Sequence, residues 1–191
     1  SITAAELAAI GAATTGTVTV TNAVNIIGDH DQLTAALVTA GTKVEVSDAS
    51  VIINDADATS ITAAELAAIG AATTGTVTVT NAVNIIGDHD QLTAALVTES
   101  TKVSVSDATV IINDANATSI TAAELAAIGA ATTGTVTVTN AVAITGTTAQ
   151  LTAALVTAST KVTASTSNLT ITDTPTTVSY THLRAHETET N

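Results

Sequence analysis

Short runs of alternating hydrophobic and polar residues recur along the chain. Residues 17–21 read Thr-Val-Thr-Val-Thr, and residues 43–47 read Lys-Val-Glu-Val-Ser in the same phase. A period of two places the valines on one face, and β-branched residues favour strands. Apolar runs at 24–27 and 51–53 follow after short Asn-Ala and Asp-Ala turns. The pattern predicts pairs of short strands whose valine faces are buried.

Alanine-rich segments with capping signals predict helices between these strands. Thr3 and Glu6 have the spacing of a capping box, in which the hydroxyl and the carboxylate each accept a backbone N–H at the helix start. Ile2 and Leu7 are spaced to form a hydrophobic staple, and Gly16 is placed to end the helix. The corresponding cap pairs, with those of a second helix in each repeat, are Thr62/Glu65, Thr121/Glu124, Asp29/Gln32, Asp88/Gln91 and Thr147/Gln150.

These elements belong to a tandem repeat. The heptapeptide Ser-Ile-Thr-Ala-Ala-Glu-Leu begins at Ser1, Ser60 and Ser119, which defines the copies 1–59, 60–118 and 119–177. The first two copies differ at five positions, and the third diverges after Val142. The five pairs are Ala40/Glu99, Gly41/Ser100, Glu45/Ser104, Ser50/Thr109 and Asp57/Asn116.

The spacing of the strands predicts the fold class. The strand cores at Val18, Val44 and Val77 follow one another at comparable steps, two of which make up one copy. Each half of a copy therefore has the length of one coil in a repeat array. Alternating strands and helices favour parallel strands. We expect an α/β, leucine-rich-repeat-like solenoid of about six coils, with parallel strands on one face and short helices on the other. Its single domain would span 1–177.

Composition supports thin, regular layers. Hydrophobic residues make up 46% of the 191 residues but aromatic residues only 1%, and Phe, Trp, Met and Cys are absent. Ala, Val, Ile and Leu must therefore form the core, which suits a solenoid. The formal net charge of -13 argues against nucleic acid and anionic membrane surfaces as partners. No apolar run reaches the length of a membrane span.

The last residues break the repeat pattern. The segment 178–191 contains the only Tyr and the only Arg, and two of the four His. Its larger part, from Val178 to Thr188, resembles the translation of a transposase-type sequencing adapter, and the remainder would be barcode. The resemblance implies a non-native tail and a chain derived from an assembled, metagenomic read. Ser1 begins a repeat unit, so we expect the chain to be a fragment of a longer protein.

The trio Asp29-His30-Asp31 is the first candidate for chemistry, and it recurs in the second copy. Its residue types suit a metal site or an acid–base pair. They equally suit the first turn of a helix, where Asp caps free N–H groups and offsets the helix dipole. The third copy has Thr147 and Thr148 in place of the first two residues, which keeps the cap and loses the metal ligands. Helix capping is therefore the favoured interpretation.

Asp-rich turns are the second candidate. Asp55, Asp57 and Asp114 carry oxygen ligands of the kind that calcium prefers. No EF-hand loop or Gly-rich nonapeptide is present, so an Asx-rich turn before the next helix is the alternative. Calcium is the one cofactor that the sequence suggests.

Threonine arrays and nucleophiles are the remaining possibilities. The Thr-x-Thr-x-Thr runs resemble those of ice-binding β-solenoids, but neighbouring strands with Lys43 and Glu45 would interrupt such a surface. Solvated strand residues are the alternative. No Cys, Gly-x-Ser-x-Gly or phosphate loop is present, so we expect no enzyme. The lysines at one repeat position would discourage pairing between sheet edges.

The repeat motifs resemble a known class of proteins. Ile-Thr-Ala-Ala-Glu-Leu-Ala-Ala-Ile, Thr-Thr-Gly-Thr-Val-Thr-Val and Gly-Asp-x-x-Gln-Leu, over about residues 1–174, are similar to repeat regions of giant bacterial cell-surface and exported proteins. These include cyanobacterial swimming-type proteins and hemolysin-type exoproteins. The resemblance implies secretion or surface display, a stalk or adhesin role, calcium as a possible ligand, and neighbouring repeats of a longer chain as partners. We expect a structural stalk or spacer, with an adhesive or ice-binding module as the alternative.

Overall fold

The computed structural model describes residues 1–101 and 103–174, in which helices alternate with parallel strands. The helices are α1 (Ala4–Ala12), α2 (His30–Leu37), α3 (Ala63–Ala71), α4 (His89–Leu96), α5 (Ala122–Ala130) and α6 (Thr148–Leu155). The strands of the first copy are β1 (Ile2–Thr3), β2 (Val18–Val20), β3 (Asn25–Gly28), β4 (Val44–Val46) and β5 (Ser50–Ile53). Those of the second and third copies are β6 (Ser60–Thr62), β7 (Val77–Val79), β8 (Asn84–Gly87), β9 (Thr109–Ile112), β10 (Ser119–Thr121), β11 (Val136–Val138), β12 (Ala143–Gly146), β13 (Val162–Thr163) and β14 (Asn168–Ile171). The adapter-like segment 178–191 lies outside the described residues.

All six of these helices begin at the predicted capping boxes. In α1 the Glu6 N–H donates to Thr3 Oγ1 at 3.2 Å, and the Thr3 N–H donates to Glu6 Oε2 at 3.1 Å. The pair Asp29 and Gln32 caps α2 in the same way. Because each box satisfies free N–H groups at a helix end, it stabilises a short helix that propensity alone would leave marginal. The predicted helix starts are confirmed.

Gly16 does not end α1, contrary to the prediction. The helix ends at Ala12, and its cap Ala13 has right-handed backbone angles. The space around Gly16 itself is open, but its equivalent in the second copy, Gly75, allows close packing between copies. A Cβ on Gly75 would lie 2.2 Å from the carbonyl oxygen of Ala49, which precedes β5. Only glycine lets the backbone approach that closely.

The strands form four parallel sheets among the described residues. Their orders are β2-β4, β1-β3-β5-β7, β6-β8-β9-β11-β13 and β10-β12-β14. The predicted neighbours Val18 and Val44 are paired. However, Val77 pairs with Val51 rather than with Val44. The reason is that β5 uses both of its edges, pairing with β3 on one side and β7 on the other. The strands therefore do not form the single row that the spacing suggested.

The segment Ser-Ile-Thr before the first helix of each copy is a strand, which the sequence pattern did not indicate. Ile61 pairs with Ile85 and is 1% exposed. The isoleucine expected to act as a local staple is thus a core residue of a sheet. Its burial depends on β8, which follows only after α3 and β7, so no local pattern shows it.

Small aliphatic side chains form one buried cluster that extends from Ala4 to Val162. Its regularity is clearest in the largest sheet, where one inward row consists of five residues in register. These are Ile61, Ile85, Val110, Val136 and Val162, each at most 2% exposed. The opposite side of the core consists of helix residues such as Leu92 and Ala95. The predicted Ala, Val, Ile and Leu core is confirmed.

The outward rows of the sheets are chemically mixed. Thr19 lies beside Glu45, as the expected alternation with charged strands requires. The equivalent Thr78 instead lies between Ile52 and Ser104. These outer positions therefore do not form a uniform threonine surface.

The turn after β5 contains a residue with a strained backbone conformation, Ala58. Ala58 has φ of 63°, and Ala117 at the same place in the second copy has φ of 64°. A left-handed conformation costs a residue with a Cβ about 1–2 kcal/mol, and glycine avoids that cost. We expect Ala58→Gly to raise the free energy of unfolding by about 0.5–1 kcal/mol, as measured by urea denaturation. Ala56→Gly in the same turn is the control, since Ala56 does not have a positive φ. A loss of stability in Ala58→Gly would contradict the prediction.

Candidate functional site

The N-terminus of α2 is the most polar buried place in the first copy. Asp29 caps the helix, with the Gln32 N–H donating to its Oδ1 at 2.8 Å. The favoured interpretation of the Asp-His-Asp trio as a helix start is therefore confirmed. His30, the first residue of the helix, makes a further contact that the capping pattern does not contain.

A second carboxylate reaches this helix end from the turn after β5. Asp55 accepts the His30 backbone N–H on Oδ2 at 2.8 Å, and its Oδ1 lies 2.6 Å from His30 Nδ1. The Asp55 residue is only 5% exposed. The preceding residue, Asn54, still bonds through its N–H to the Gly28 carbonyl at 3.0 Å. Because β3 and β5 lie side by side, the turn after β5 sits at the start of the helix that follows β3.

The second copy repeats this geometry. The His89 N–H donates to Asp114 Oδ2 at 2.8 Å, and His89 Nδ1 lies 2.6 Å from Asp114 Oδ1. In the third copy Thr148 replaces the histidine, and both its N–H and its hydroxyl donate to Asp173. What all three copies share is a carboxylate on the first N–H of a helix. The imidazole is present in only two copies, so the constant part of the arrangement is structural.

The electrostatic environment favours a charged histidine. Burial lowers the pKa of His30, but the hydrogen bond and charge of Asp55, with the charges of Asp31 and Glu65, outweigh burial and raise the pKa. The pKa of His89 is raised in the same way by its own set of acidic neighbours. A protonated ring can donate from Nδ1 to the buried carboxylate, which strengthens the contact.

A stability that falls with rising pH is the expected consequence. A histidine whose pKa is raised by folding stabilises the protein below its unfolded pKa of about 6.5, and this contribution disappears as the pH rises through the folded pKa. We expect the urea midpoint to be higher at about pH 6 than at about pH 8, because the contribution of the histidines is lost between these two pH values. The double variant His30→Thr/His89→Thr, which copies Thr148, should remove most of this difference. An equal pH dependence in parent and variant would contradict the assignment.

A His–Asp pair is also the orienting half of many nucleophilic sites, but these two pairs lack the other half. In both pairs Nδ1 contacts the buried Asp. The other ring nitrogen of His30 lies 3.6 Å from Asp31 Oδ1, and that of His89 lies 3.5 Å from Asp90 Oδ1. A serine, threonine or cysteine would have to occupy that place for the imidazole to activate it. Each histidine therefore contacts acidic groups at both ring nitrogens.

The calcium candidates each bond to protein groups. Asp55 and Asp114 bind the histidines. Asp57 Oδ1 accepts the Ala82 N–H at 3.1 Å, and its counterpart Asn116 accepts an equivalent N–H. The structure thus brings Asp55 to His30 and places Asp57 on a different backbone segment. Over residues 1–101 and 103–174, no group of three or more His, Asp or Glu side chains is arranged to hold a metal ion.

A surface depression of about 360 Å³ lies where the end of α4 and residues 103–105 meet the end of α5. It is lined mainly by small apolar residues, among them Leu96, Val103 and Ala127. Glu99 and Ser104 are its polar lining residues. This lining contains one acidic group and lacks the convergent polar set of a catalytic pocket.

Sequence reasoning found the caps but missed the His–Asp contact. The sequence does contain a sign of this contact, because the two partners are the same distance apart in every copy. The pairs are at positions 30 and 55, 89 and 114, and 148 and 173. This spacing becomes meaningful only when β3 and β5 are known to be adjacent.

Comparison with known proteins found no match for the chain. No family model matches the sequence, and no curated protein or solved structure is significantly similar to it. Among the described helices, none combines the length and the apolar character needed to cross a membrane.

Proposed function

We propose that the chain is a segment of an α/β repeat solenoid, leucine-rich-repeat-like and of about six coils, that acts as a stalk or spacer in a bacterial cell-surface or secreted protein. One observation carries the proposal: strands pair with strands that lie a nearly constant step further along the chain. The series Ile2, Ile26, Val51 and Val77 makes this step three times in succession. A constant step builds an array whose length grows by adding copies.

The polar groups of the described residues support a structural role. The six capping boxes hold helix ends, and the buried carboxylates of Asp55 and Asp114 hold neighbouring strands to helices. Each copy buries its apolar face on the next, which is how a repeat array gains stability. We do not propose an enzymatic role, because the best-placed titratable pair serves the fold.

The cellular location in this proposal rests on the repeat motifs and their resemblance to surface and exported proteins. Neighbouring repeats of a longer parent chain would be its natural partners. The acidic surface would keep a long, extended segment soluble.

An adhesive or ice-binding module is the alternative, and one row of side chains favours it. Thr121, Thr145 and Thr170 lie in register on the outward side of the three-stranded sheet. However, the Thr121 hydroxyl donates to Glu124 at 2.7 Å, which removes it from a free threonine surface. The spacer therefore has the stronger support.

Small-angle scattering on a lengthened chain tests the spacer. One extra copy of residues 60–118 would be inserted after Thr118. We expect the maximum dimension to rise by about 10–20 Å, since one copy adds two strand spacings of ~4.8 Å or two helix spacings of ~8–10 Å. A flexible Gly/Ser insertion of equal length is the control. An unchanged dimension would overturn the proposal, and thermal hysteresis of freezing by the parent chain would support the alternative.

A further inference from the structure

The described chain exposes, at its two ends, positions that are buried in the middle copy. Ile10 on α1 is 52% exposed, whereas its equivalents Ile69 and Ile128 are fully buried. Val18 on β2 is partly exposed, whereas Val77 is 3% exposed. The N-terminal face is therefore an interior surface of the repeat that no described residue covers.

The C-terminal face shows the same contrast. Leu169 and Ile171 on β14 are 53% and 64% exposed. Their equivalents in the second copy, Val110 and Ile112, are fully buried. Val156 after α6 is also largely exposed.

The middle copies show what covers such a face. The edge of β9 is covered by β11, with Val110 paired to Val136 and Ile112 paired to Val138. By repeat position β14 corresponds to β9, and β2 corresponds to β11. Within the described residues β14 pairs only with β12, and β2 pairs only with β4. The free edge of β14 and the free edge of β2 are thus the two halves of a pairing that the chain makes internally.

Two residues on the N-terminal face, Thr14 and Gly16, would also fit the C-terminal face, as their equivalents in the third copy show. In the third copy the Thr132 hydroxyl donates to the Ala108 carbonyl at 2.7 Å. A Cβ on the adjacent Gly134 would lie 2.3 Å from that same carbonyl. The first-copy equivalents, Thr14 and Gly16, have open space there, since a Cβ on Gly16 would meet only Thr14 Oγ1, at 3.5 Å. The position equivalent to Ala108 on the C-terminal face is Ser167.

We propose that a second copy of this chain stacks head to tail on the first, with its N-terminal face on the C-terminal face. The β14 edge would pair with the partner's β2 edge in the register of β9 with β11, so that Leu169 lies opposite the partner's Val18. Helix α6 would pack on the partner's α1. The two faces are complementary to each other and not to themselves, so the contact is heterologous and the assembly is an open filament. This head-to-tail assembly goes beyond the proposed spacer role. The spacer role is tested separately, by the scattering experiment.

Sedimentation velocity of the full chain over a range of concentrations is the first test. We expect species at multiples of 18.7 kDa that grow with concentration. They should also grow with added salt, because the acidic subunits repel each other. A chain that stays monomeric at every concentration and salt level would overturn the proposal.

A substitution at Gly16 tests whether the N-terminal face forms the contact between copies of the chain. Gly16→Ala should leave the melting temperature of the monomer unchanged, because its surroundings are open, but should abolish the larger species. Gly41→Ala is the matched control, since nothing lies within 4 Å of a Cβ there. It should leave both the melting temperature and the assembly unchanged. Assembly that persists in Gly16→Ala would point to a different contact and overturn the proposal.

Disulfide trapping tests the register, because the chain has no cysteine of its own. The paired positions Ile52 and Thr78 correspond to Thr170 and the partner's Thr19. Mixing a Thr170→Cys variant with a Thr19→Cys variant under oxidation should give several-fold more cross-linked heterodimer than mixing it with Thr21→Cys. Equal yields from the two mixtures would contradict the register.

Discussion

Replacing Asp114 by alanine is expected to lower the free energy of unfolding by about 2–4 kcal/mol. Its carboxylate is almost fully buried: Oδ2 accepts the His89 backbone N–H, and Oδ1 lies 2.6 Å from His89 Nδ1. Removing it leaves a helix N–H without an acceptor and a partly buried histidine without its counter-charge. Urea denaturation near pH 6, where the histidine is charged, is the measurement.

The third copy supplies the matched control for this prediction. Asp173 makes the same backbone contact to Thr148, but it is exposed. Asp173→Ala should therefore cost much less, because water replaces the lost acceptor. If the Asp114 and Asp173 variants lost equal stability, the effect would come from the helix cap in general rather than from burial of the carboxylate. The variant His89→Thr should retain most of the stability, because a threonine at this position can donate both its N–H and its hydroxyl to the carboxylate, as Thr148 does to Asp173.

Substituting Gly75 by alanine is the second large effect. The added Cβ would lie 2.2 Å from the Ala49 carbonyl oxygen and 2.9 Å from the Asp48 carbonyl oxygen. Backbone atoms on both sides must move, so we expect a loss of about 1–3 kcal/mol, typical of overpacking. Thermal unfolding followed by circular dichroism should show a fall of several degrees, since about 1 kcal/mol corresponds to ~2–4 °C in a domain of this size.

Gly16 provides a control within the same chain, because it occupies the same place in an identical local sequence. A Cβ on Gly16 would meet no backbone atom within 4 Å. Gly16→Ala should therefore leave the melting temperature nearly unchanged. Equal losses at the two glycines would mean that local backbone conformation, and not packing between copies, requires glycine there.

These two comparisons measure one property of the repeat, the coupling between neighbouring structural segments. Asp114 and Gly75 both contact segments that are distant in the chain. In a repeat array the interfaces between units contribute much of the stability. Variants at such positions should therefore be more harmful where the neighbouring segment is present, as at Gly75, than where it is absent, as at Gly16.

The local elements could be predicted from the sequence with few errors. The capping boxes at Thr3 and Asp29 involve partners within one helical turn, so the pattern contains the whole interaction. The alternation in residues 17–21 predicted β2 for a similar reason, and the same alternation predicted the buried valine face of its equivalent β7. The strand at Ser60–Thr62 was missed because so short a segment before a helix has too little pattern of its own.

The pairing of strands could not be predicted from the same information. Val18, Val44, Val51 and Val77 all lie in short strands with a similar apolar pattern. Several pairings would bury similar apolar area, and the spacing of the strand cores along the chain favoured the wrong partner for Val77. The choice of Val51 depends on where the β5 strand fits between its two neighbours.

The sequence by itself determined the repeat period, the six described helix starts, the aliphatic core and the parallel α/β class, because these follow from composition and from contacts within a short stretch of chain. Only the tertiary structure decided which strands are neighbours, why glycine is required at Gly75, and that Asp55 reaches the helix end at His30. Those features join groups that are distant in the chain and close in the structure. Their energies come from burial and close approach, which exist only once these distant segments have packed against each other.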